Sequence, residues 1–297
     1  MNATLHLLTT LLLCTALVRP LAAARWVWRS PRTGILLWQM LLLTWVLCAV
    51  GAVFAIGLSP YDPDIPTAVE RLLAGTRPAG LSPWHLAVVG AGLVLASVLL
   101  ASLAWSWVRV LHTRRRHRQV LSLVAREESA LPGVLILDHP LTVAYCLPGL
   151  RAQVVLSSGT LSALSPDEVA AVLAHEQTHA RERHDLVLLP FAALRRLLPR
   201  SSLVAGAAEA VALLVEMRAD EGACRARCAA SLAAALRRFN LTAVAPPPGA
   251  IGMADGAVAA RLSRLGSALR PLPLAVRWLV LVTGAVLVST PLSFLVV

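Results

Sequence analysis

The sequence has no lysine and few charged residues of either sign. All 27 basic residues are arginines, only 14% of the 297 residues are charged, and 57% are hydrophobic. The mean hydropathy of +0.71 is higher than an ordinary soluble protein shows. The composition therefore excludes a wholly soluble globular fold. It predicts a mainly α-helical membrane protein with room for one further domain.

Cysteine is also scarce, which excludes a domain built on disulfides. The five cysteines form an odd set without framework spacing. Cys14 and Cys48 fall inside apolar stretches. Cys224 and Cys228 stand one helical turn apart, but no histidine or cysteine at finger-like spacing accompanies them. A structural zinc finger is therefore not expected.

Long hydrophobic runs, by contrast, are abundant. Four of them approach or exceed the twenty or so residues that a helix needs to cross a bilayer, at residues 5–24, 34–58, 84–111 and 274–297. The first run could instead be a cleaved signal peptide, but its arginines follow the apolar stretch rather than precede it. We therefore expect four transmembrane helices.

The arginines predict how these helices are oriented. They cluster in the first loop and directly after the third run, whereas the loop at 59–83 carries most of the nearby acidic residues. Positive residues favour the cytoplasmic side, so residues 112–273 are expected in the cytoplasm of a bacterial cell and both termini outside. Residues 1–111 then form a three-helix membrane region, 112–273 a domain, and 274–297 the fourth helix. Arg114 to Arg118 are interpreted as a juxtamembrane anchor rather than a nucleic-acid patch.

Within residues 112–273 the pattern predicts an α+β domain. Short apolar runs at Val134–Leu137, Thr142–Cys146 and Gln153–Leu156, separated by turn residues, indicate a small and mostly antiparallel sheet. Ser165 and Glu168 are spaced as a capping box that opens a helix.

Three further stretches of this domain are expected to be helical. Residues 186–198 and 202–215 are apolar but shorter than a full span. They are interpreted as helices that pack on the domain or lie at the membrane surface, and re-entry into the membrane stays open. The stretch from Val258 to Leu269, which carries Arg261 and Arg264, is typical of an amphipathic helix leading back to the membrane.

The expected helix after Ser165 carries His175, Glu176 and His179 in an H-E-x-x-H arrangement. Two histidines four residues apart project from one helix face, which suits two corners of a tetrahedral Zn²⁺ site. The glutamate beside the first histidine can act as general base on a water at the metal. The sequence therefore predicts one catalytic zinc ion, with Glu176 as the catalytic residue.

A zinc site of this kind needs a third protein ligand. A third histidine six residues after His179 is ruled out, because that position is Asp185. Glu216 is the favoured ligand, with Glu221 and Glu209 as competitors. Asp220, one turn after Glu216, and Asp185 are expected to orient the ligands.

The other polar residues near the motif receive lesser roles. His184 is interpreted as a surface or helix-end histidine rather than a metal ligand. Tyr145 and Arg218 are candidates for a second oxyanion donor, and a peptide substrate is expected to pair with a sheet edge near Val154 to Ser157.

The segment from Cys146 to Gly149 (C-L-P-G), the run V-V-L-S-S-G at 154–159 and the stretch D-E-V-A-A-V-L-A-H-E at 167–176 together resemble the membrane gluzincins. Two families share this pattern. Peptidase family M48 contains the heat-shock and CAAX-prenyl proteases, and family M56 contains antibiotic-sensor peptidases. The layout of spans, Glu216 with Asp220, and Asp185 are most similar to the short actinobacterial forms of family M56.

This resemblance implies an integral membrane zinc endopeptidase that hydrolyses peptide bonds at the cytoplasmic membrane face. Its partners would be the lipid bilayer and a protein substrate, which in family M56 is a transcriptional repressor cut during signalling, and no nucleic acid is bound directly. Because the chain has no lysine, it lacks the Ser-x-x-Lys site of a penicillin sensor. The alternatives are an M48-like quality-control protease and a membrane sensor or scaffold with a vestigial site.

Overall fold

The computed structural model describes residues 3–61, 64–127, 133–149, 152–241, 251–252, 258–267 and 270–296. The chain is mainly helical, with one small sheet. In the described residues the helices are α1 (Ala3–Ala23), α2 (Pro31–Leu58), α3 (Ile65–Leu73), α4 (Pro83–Val124), α5 (Ser158–Ala163), α6 (Pro166–Arg181), α7 (His184–Leu197), α8 (Ser202–Ala226), α9 (Ala229–Leu241), α10 (Val258–Gly266) and α11 (Leu274–Val296), with a short 3₁₀ helix at Arg25–Arg29.

Four of these helices are long and apolar enough to cross a membrane within the described part of the chain, namely α1, α2, α4 and the stretch Leu274–Phe294 of α11. The predicted membrane protein with four candidate spans is thus confirmed. The third helix differs most from its prediction, because α4 continues for thirteen residues beyond residue 111. The domain boundary that we placed between residues 111 and 112 therefore falls inside one continuous helix.

The chain divides into two compact units. The first comprises Met1–Ala104, Ala193–Ala210 and Leu272–Val297. In it, α2 packs against both α1 and α11, and a buried apolar cluster joins residues of the first four helices: Leu7, Cys48, Ala52, Ala55, Leu58, Tyr61, Ile65, Ala68 and Val89. The end of α7 and the start of α8 belong to this unit, where Ser102 donates a hydrogen bond to the Ala193 carbonyl at 3.2 Å.

The second unit comprises Trp105–Ala192 and Val211–Pro271. Its sheet contains β1 (Ala125–Glu127), β2 (Val134–Leu137), β3 (Ala144–Leu147), β4 (Gln153–Ser157) and β5 (Ile251–Gly252), in the spatial order β1-β2-β4-β3-β5. β2 pairs in parallel with β4, and the other neighbouring strands are antiparallel. The prediction of a small, mostly antiparallel sheet is confirmed.

The sheet is apolar on both faces, because alternate residues of a strand point to opposite sides. Cys146, Val154 and Leu156 face Val172 and Leu173 of α6. On the opposite face, Tyr145, Leu147 and Val155 pack with Leu121 of α4. This double burial explains why the strands read as continuous apolar runs rather than as an alternation of polar and apolar residues. The sheet thereby supports α6 from behind.

One expectation about the sheet is wrong. A substrate strand was expected to pair near Val154 to Ser157, but β4 lies between β2 and β3 and is paired on both sides. Its backbone groups already have partners, so it offers no free edge. Of the paired strands β3 and β4, β3 lies nearer the edge of the sheet, and it also packs against α6.

Candidate metal centre

Helix α6 begins in the way that the sequence predicts. The Ser165 side chain accepts a hydrogen bond from the Glu168 amide at 3.4 Å, and the Glu168 carboxylate accepts one from the Ser165 amide at 2.7 Å. This capping box satisfies amide groups that the first turn of a helix leaves unpaired. The helix then runs without interruption to Arg181, so residues 175 and 179 lie one turn apart on its buried face.

Three donor groups converge on this face. His175 Nε2 lies 3.1 Å from His179 Nε2, Glu216 Oε2 lies 3.4 Å from His175 Nε2, and Glu216 Oε1 lies 3.5 Å from His179 Nε2. Atoms bound to a tetrahedral zinc ion at about 2.0–2.1 Å stand about 3.3 Å from one another. The separations and the two-histidine, one-carboxylate composition therefore fit a zinc ion.

The alternative carboxylate ligands lie elsewhere. Glu221 is paired with Arg218 at 3.0 Å and also with Arg264. Glu209 is exposed and belongs to the other compact unit. Glu216 is thus the residue of the three that the fold brings to the two histidines.

Asp220 stands behind the first histidine. Its Oδ1 atom lies 3.1 Å from His175 Nδ1, on the side of the ring away from the donor cluster. Burial alone would lower the pKa of His175, but the carboxylates of Asp220 and Glu216 outweigh burial and raise that pKa to about 9. A carboxylate at this position turns the Nδ1 proton toward itself and leaves Nε2 free to coordinate.

The sequence did not indicate that Arg261 belongs to this centre. The residue was assigned to an amphipathic helix near the membrane, but its side chain is fully buried and contacts two carboxylates. Its Nη2 atom lies 2.6 Å from Asp220 Oδ1 and its Nη1 atom 2.9 Å from Glu216 Oε2. Burial alone would raise the pKa of Glu216, but the guanidinium and the two histidines lower it to about 2. Arg261 therefore keeps the third ligand ionised.

Glu176 is buried beside the donors, and its carboxylate is poorly hydrogen-bonded. Within the described residues neither carboxylate oxygen has a hydrogen-bond partner of good geometry. Burial raises the pKa of Glu176 to about 7, even though His175, Arg261 and the nearby backbone amide of Cys146 act to lower it. Such a group suits proton transfer near neutral pH. Zinc ligation requires both histidines to be neutral. In that state the carboxylates of Glu176, Glu216 and Asp220, when ionised, would exceed the guanidinium of Arg261 by two charges, which a divalent cation would neutralise.

His184 was expected to be a surface or helix-end histidine rather than a ligand. It is the first residue of α7 and is not one of the three donors, but it is only 2% exposed and contacts one of them. Its Nδ1 atom lies 2.9 Å from His179 Nδ1, and the two rings meet edge to face with centroids 4.8 Å apart. A usable signal was its position three residues after the end of α6, because a turn that short returns the chain to the last turn of the helix.

The remaining candidates lie beside the centre rather than in it. Asp185 pairs with Arg114 of α4 at 2.9 Å and with Arg183 at 3.3 Å, rather than with any of the three donors, in the described part of the chain. The Tyr145 hydroxyl is hydrogen-bonded to His117 Nε2 at 2.8 Å. Arg218 pairs with Glu182 and Glu221. The geometry thus assigns none of these three to the reacting centre.

The sequence profile of peptidase family M48 matches residues 111–243 of this chain. The match contains the donor cluster and Glu176 and stops before Arg261. It supports a membrane-type zinc metallopeptidase and does not single out family M56, which the sequence analysis favoured. No solved structure matches the chain significantly.

Proposed function

We propose that this protein is a zinc-dependent endopeptidase of the cytoplasmic membrane face, with zinc held by His175, His179 and Glu216. The observation that carries the proposal is the convergence of these three donors, at 3.1–3.5 Å from one another, beside the buried carboxylate of Glu176. The match to family M48 supports the same reaction class.

A zinc ion bound to these residues would polarise the scissile carbonyl and acidify a water molecule at the site. Glu176 is the group that handles the proton. It follows the first ligand directly on α6, and its carboxylate oxygens have no competing hydrogen bonds of good geometry in the described residues. It would accept the proton from water and deliver it to the leaving amine. A pKa near 7 allows both transfers at neutral pH.

Asp220 and Arg261 keep the donors in a usable state. Asp220 orients His175 through Nδ1, and Arg261 binds the two carboxylates that would otherwise repel each other. Because Arg261 is completely buried, its charge acts in a medium of low dielectric constant, where each such interaction is stronger than in water. It is also the fixed cation nearest to Glu216.

For the substrate, we propose membrane proteins cut in quality control, because the matching family is M48. Cleavage of a transcriptional repressor is the second candidate. It is supported by the layout of candidate spans, in which three precede the residues of the centre and one follows them. A proteomic comparison of cells with active and inactive enzyme distinguishes the two. Quality control predicts accumulation of many membrane proteins, whereas signalling predicts accumulation of a single DNA-binding repressor.

The distribution of arginines supports a cytoplasmic position for the centre and outer positions for both termini. Reporter fusions test this orientation. A green fluorescent protein fused after residue 297 should stay dark if the C-terminus is outside, whereas alkaline phosphatase fused there should be active. The reverse pattern would contradict the orientation.

The proposal is tested by Glu176→Gln, with Glu209→Gln as the matched control on an exposed site. Glu176→Gln should retain one zinc ion per chain and lose peptide hydrolysis by a factor of about 10² or more. Glu209→Gln should change neither. If Glu176→Gln processes peptide or protein substrates at the wild-type rate, the assignment of the catalytic base and of the peptidase function is wrong.

A further inference from the structure

The turn between α6 and α7 brings a histidine back to the donor cluster. α6 ends at Arg181, α7 begins at His184, and only two residues connect them. Arg183 has a backbone φ of +50°, in the left-handed region that residues other than glycine seldom adopt. This conformation reverses the chain direction within two residues, so that His184 lies against His179. Strained backbone of this kind is often found beside functional groups.

The contact between the two histidines determines where their protons lie. His179 Nε2 faces His175 Nε2 and Glu216, so a ligand role requires its lone pair on Nε2 and its proton on Nδ1. His184 Nδ1, at 2.9 Å, must then accept that proton. His184 in turn carries its own proton on Nε2. These tautomers are assigned from the network of contacts.

The far side of His184 fits the same assignment. Its Nε2 atom lies 3.5 Å from Glu182 Oε2, too poorly aligned for a hydrogen bond but close enough for the carboxylate to favour a proton on that nitrogen. Glu182 is held by Arg218, whose Nε donates to Oε2 at 2.8 Å and whose Nη2 contacts Oε1. Arg218 lies on α8, the helix that also carries Glu216. The series of contacts therefore links the second histidine on α6 to the helix that supplies the carboxylate.

We infer that His184 is a positioning residue for the metal centre, which fixes the tautomer and ring orientation of His179 as Asp220 does for His175. The inference rests on the proposed zinc site and deepens it. Groups that orient a ligand histidine through its second nitrogen commonly change metal affinity by 10- to 100-fold. His184 does not touch the substrate in this assignment, so its effect should appear in metal binding before it appears in catalysis.

The test compares His184→Leu, His184→Asn and His184→Gln in the full-length protein. The Asn side chain carries its oxygen at the position of Nδ1, whereas the Gln oxygen is displaced toward the position of Nε2. His184→Asn should therefore keep zinc affinity within about threefold of the wild type, and the Leu and Gln variants should lose 10- to 100-fold. His112→Leu, which removes an exposed histidine of α4, is the matched control and should bind zinc normally.

The measurements are zinc affinity by competition with a coloured chelator and the visible absorption of the Co²⁺-substituted protein. The Co²⁺ bands report ligand geometry, which a merely structural defect away from the centre would not change. Melting curves of the metal-free variants show whether they fold. If His184→Leu does not fold, the comparison of zinc affinity between the Asn and Gln variants tests the positioning role. Wild-type affinity in both the Leu and Gln variants, or equal losses in Asn and Gln, would overturn the positioning role. Failure of the wild type to bind zinc would instead overturn the proposed function.

Discussion

Gly222→Ala should separate the two helices that form the metal centre. Gly222 lies on α8, two residues after Asp220, and faces Thr178 of α6, which directly precedes His179. A methyl group at Gly222 would lie 2.8 Å from Thr178 Cβ and 2.6 Å from Cγ2, with Oγ1 closer still. Rotation of the Thr178 side chain does not move its Cβ, so the backbones themselves must separate.

The size of the shift follows from ordinary contact distances. Carbon atoms in contact stand about 3.5–4.0 Å apart, so α6 and α8 must separate by about 1 Å near Gly222. The donors of Glu216 and the two histidines are only 3.4–3.5 Å apart. Because zinc–ligand bonds are about 2 Å long, a shift of about 1 Å removes the carboxylate from the coordination sphere. Overpacking of this kind also costs about 1–3 kcal/mol of folding free energy.

Gly206→Ala is the matched control, because Gly206 lies on the same helix and a methyl group there would meet no described atom within 4 Å. Replacing a helical glycine by alanine without a clash stabilises a protein by about 0.5–1 kcal/mol. The assays are thermal unfolding in detergent and zinc content after dialysis. Gly206→Ala should melt at or above the wild-type temperature with full zinc, whereas Gly222→Ala should melt lower and lose zinc.

Adding Thr178→Ala to Gly222→Ala should recover part of the melting temperature and zinc content that Gly222→Ala loses. It removes Oγ1 and Cγ2, which are two of the three close atoms, and leaves Cβ. The two residues are in contact, so a double-mutant cycle should show coupling of about 0.5–3 kcal/mol. If Gly222→Ala matches Gly206→Ala in melting temperature and zinc content, the close approach of α6 and α8 is not what holds the centre together.

Three further predictions concern the metal, its charges and the core. Chelation should lower the melting temperature of the wild type by an amount equivalent to about 4 kcal/mol if free zinc was about 1,000-fold above Kd before chelation. Glu216→Ala should show no such drop, and an equal drop in both proteins would refute the assignment of Glu216 as the third ligand. Arg261→Leu should cost about 3–5 kcal/mol because it leaves buried carboxylates unpaired, and adding Asp220→Asn should recover part of this in chemical unfolding; no recovery would contradict the charge argument. Leu232→Ala should cost about 2–5 kcal/mol, since Leu232 of α9 is fully buried in a cluster with Ala171 of α6 and Ala223 of α8. A cost under 1 kcal/mol in the same assay would show that this cluster is loosely packed.

The parts of the centre that sequence reasoning predicted are those set by helix geometry. His175 and His179 are one turn apart on one helix, and Glu216 and Asp220 are one turn apart on another, so each pair could be recognised from spacing alone. The capping box at Ser165 is equally local. The four candidate spans follow from the lengths of apolar runs.

The parts that were missed depend on contacts between distant elements. Arg261 lies 41 residues after Asp220, and no spacing rule indicates that an arginine on an amphipathic helix turns its charge into the protein. The contact of His184 with His179 depends on the left-handed backbone conformation of Arg183, which no sequence pattern predicted. The parallel pairing of β2 with β4 likewise depends on how the chain crosses between them.

Each donor of the centre is supported by a partner of a different chemical kind, and the charges explain the difference. His175 is backed by the carboxylate of Asp220, His179 by the neutral ring of His184, and Glu216 by the guanidinium of Arg261. A second carboxylate behind His179 would bring the excess negative charge to three, more than one divalent cation neutralises in a buried site. A neutral acceptor satisfies the Nδ1 proton of His179 without adding charge. The carboxylate of Glu182 can then lie one step farther out, at 32% side-chain exposure, where Arg218 and solvent both balance it.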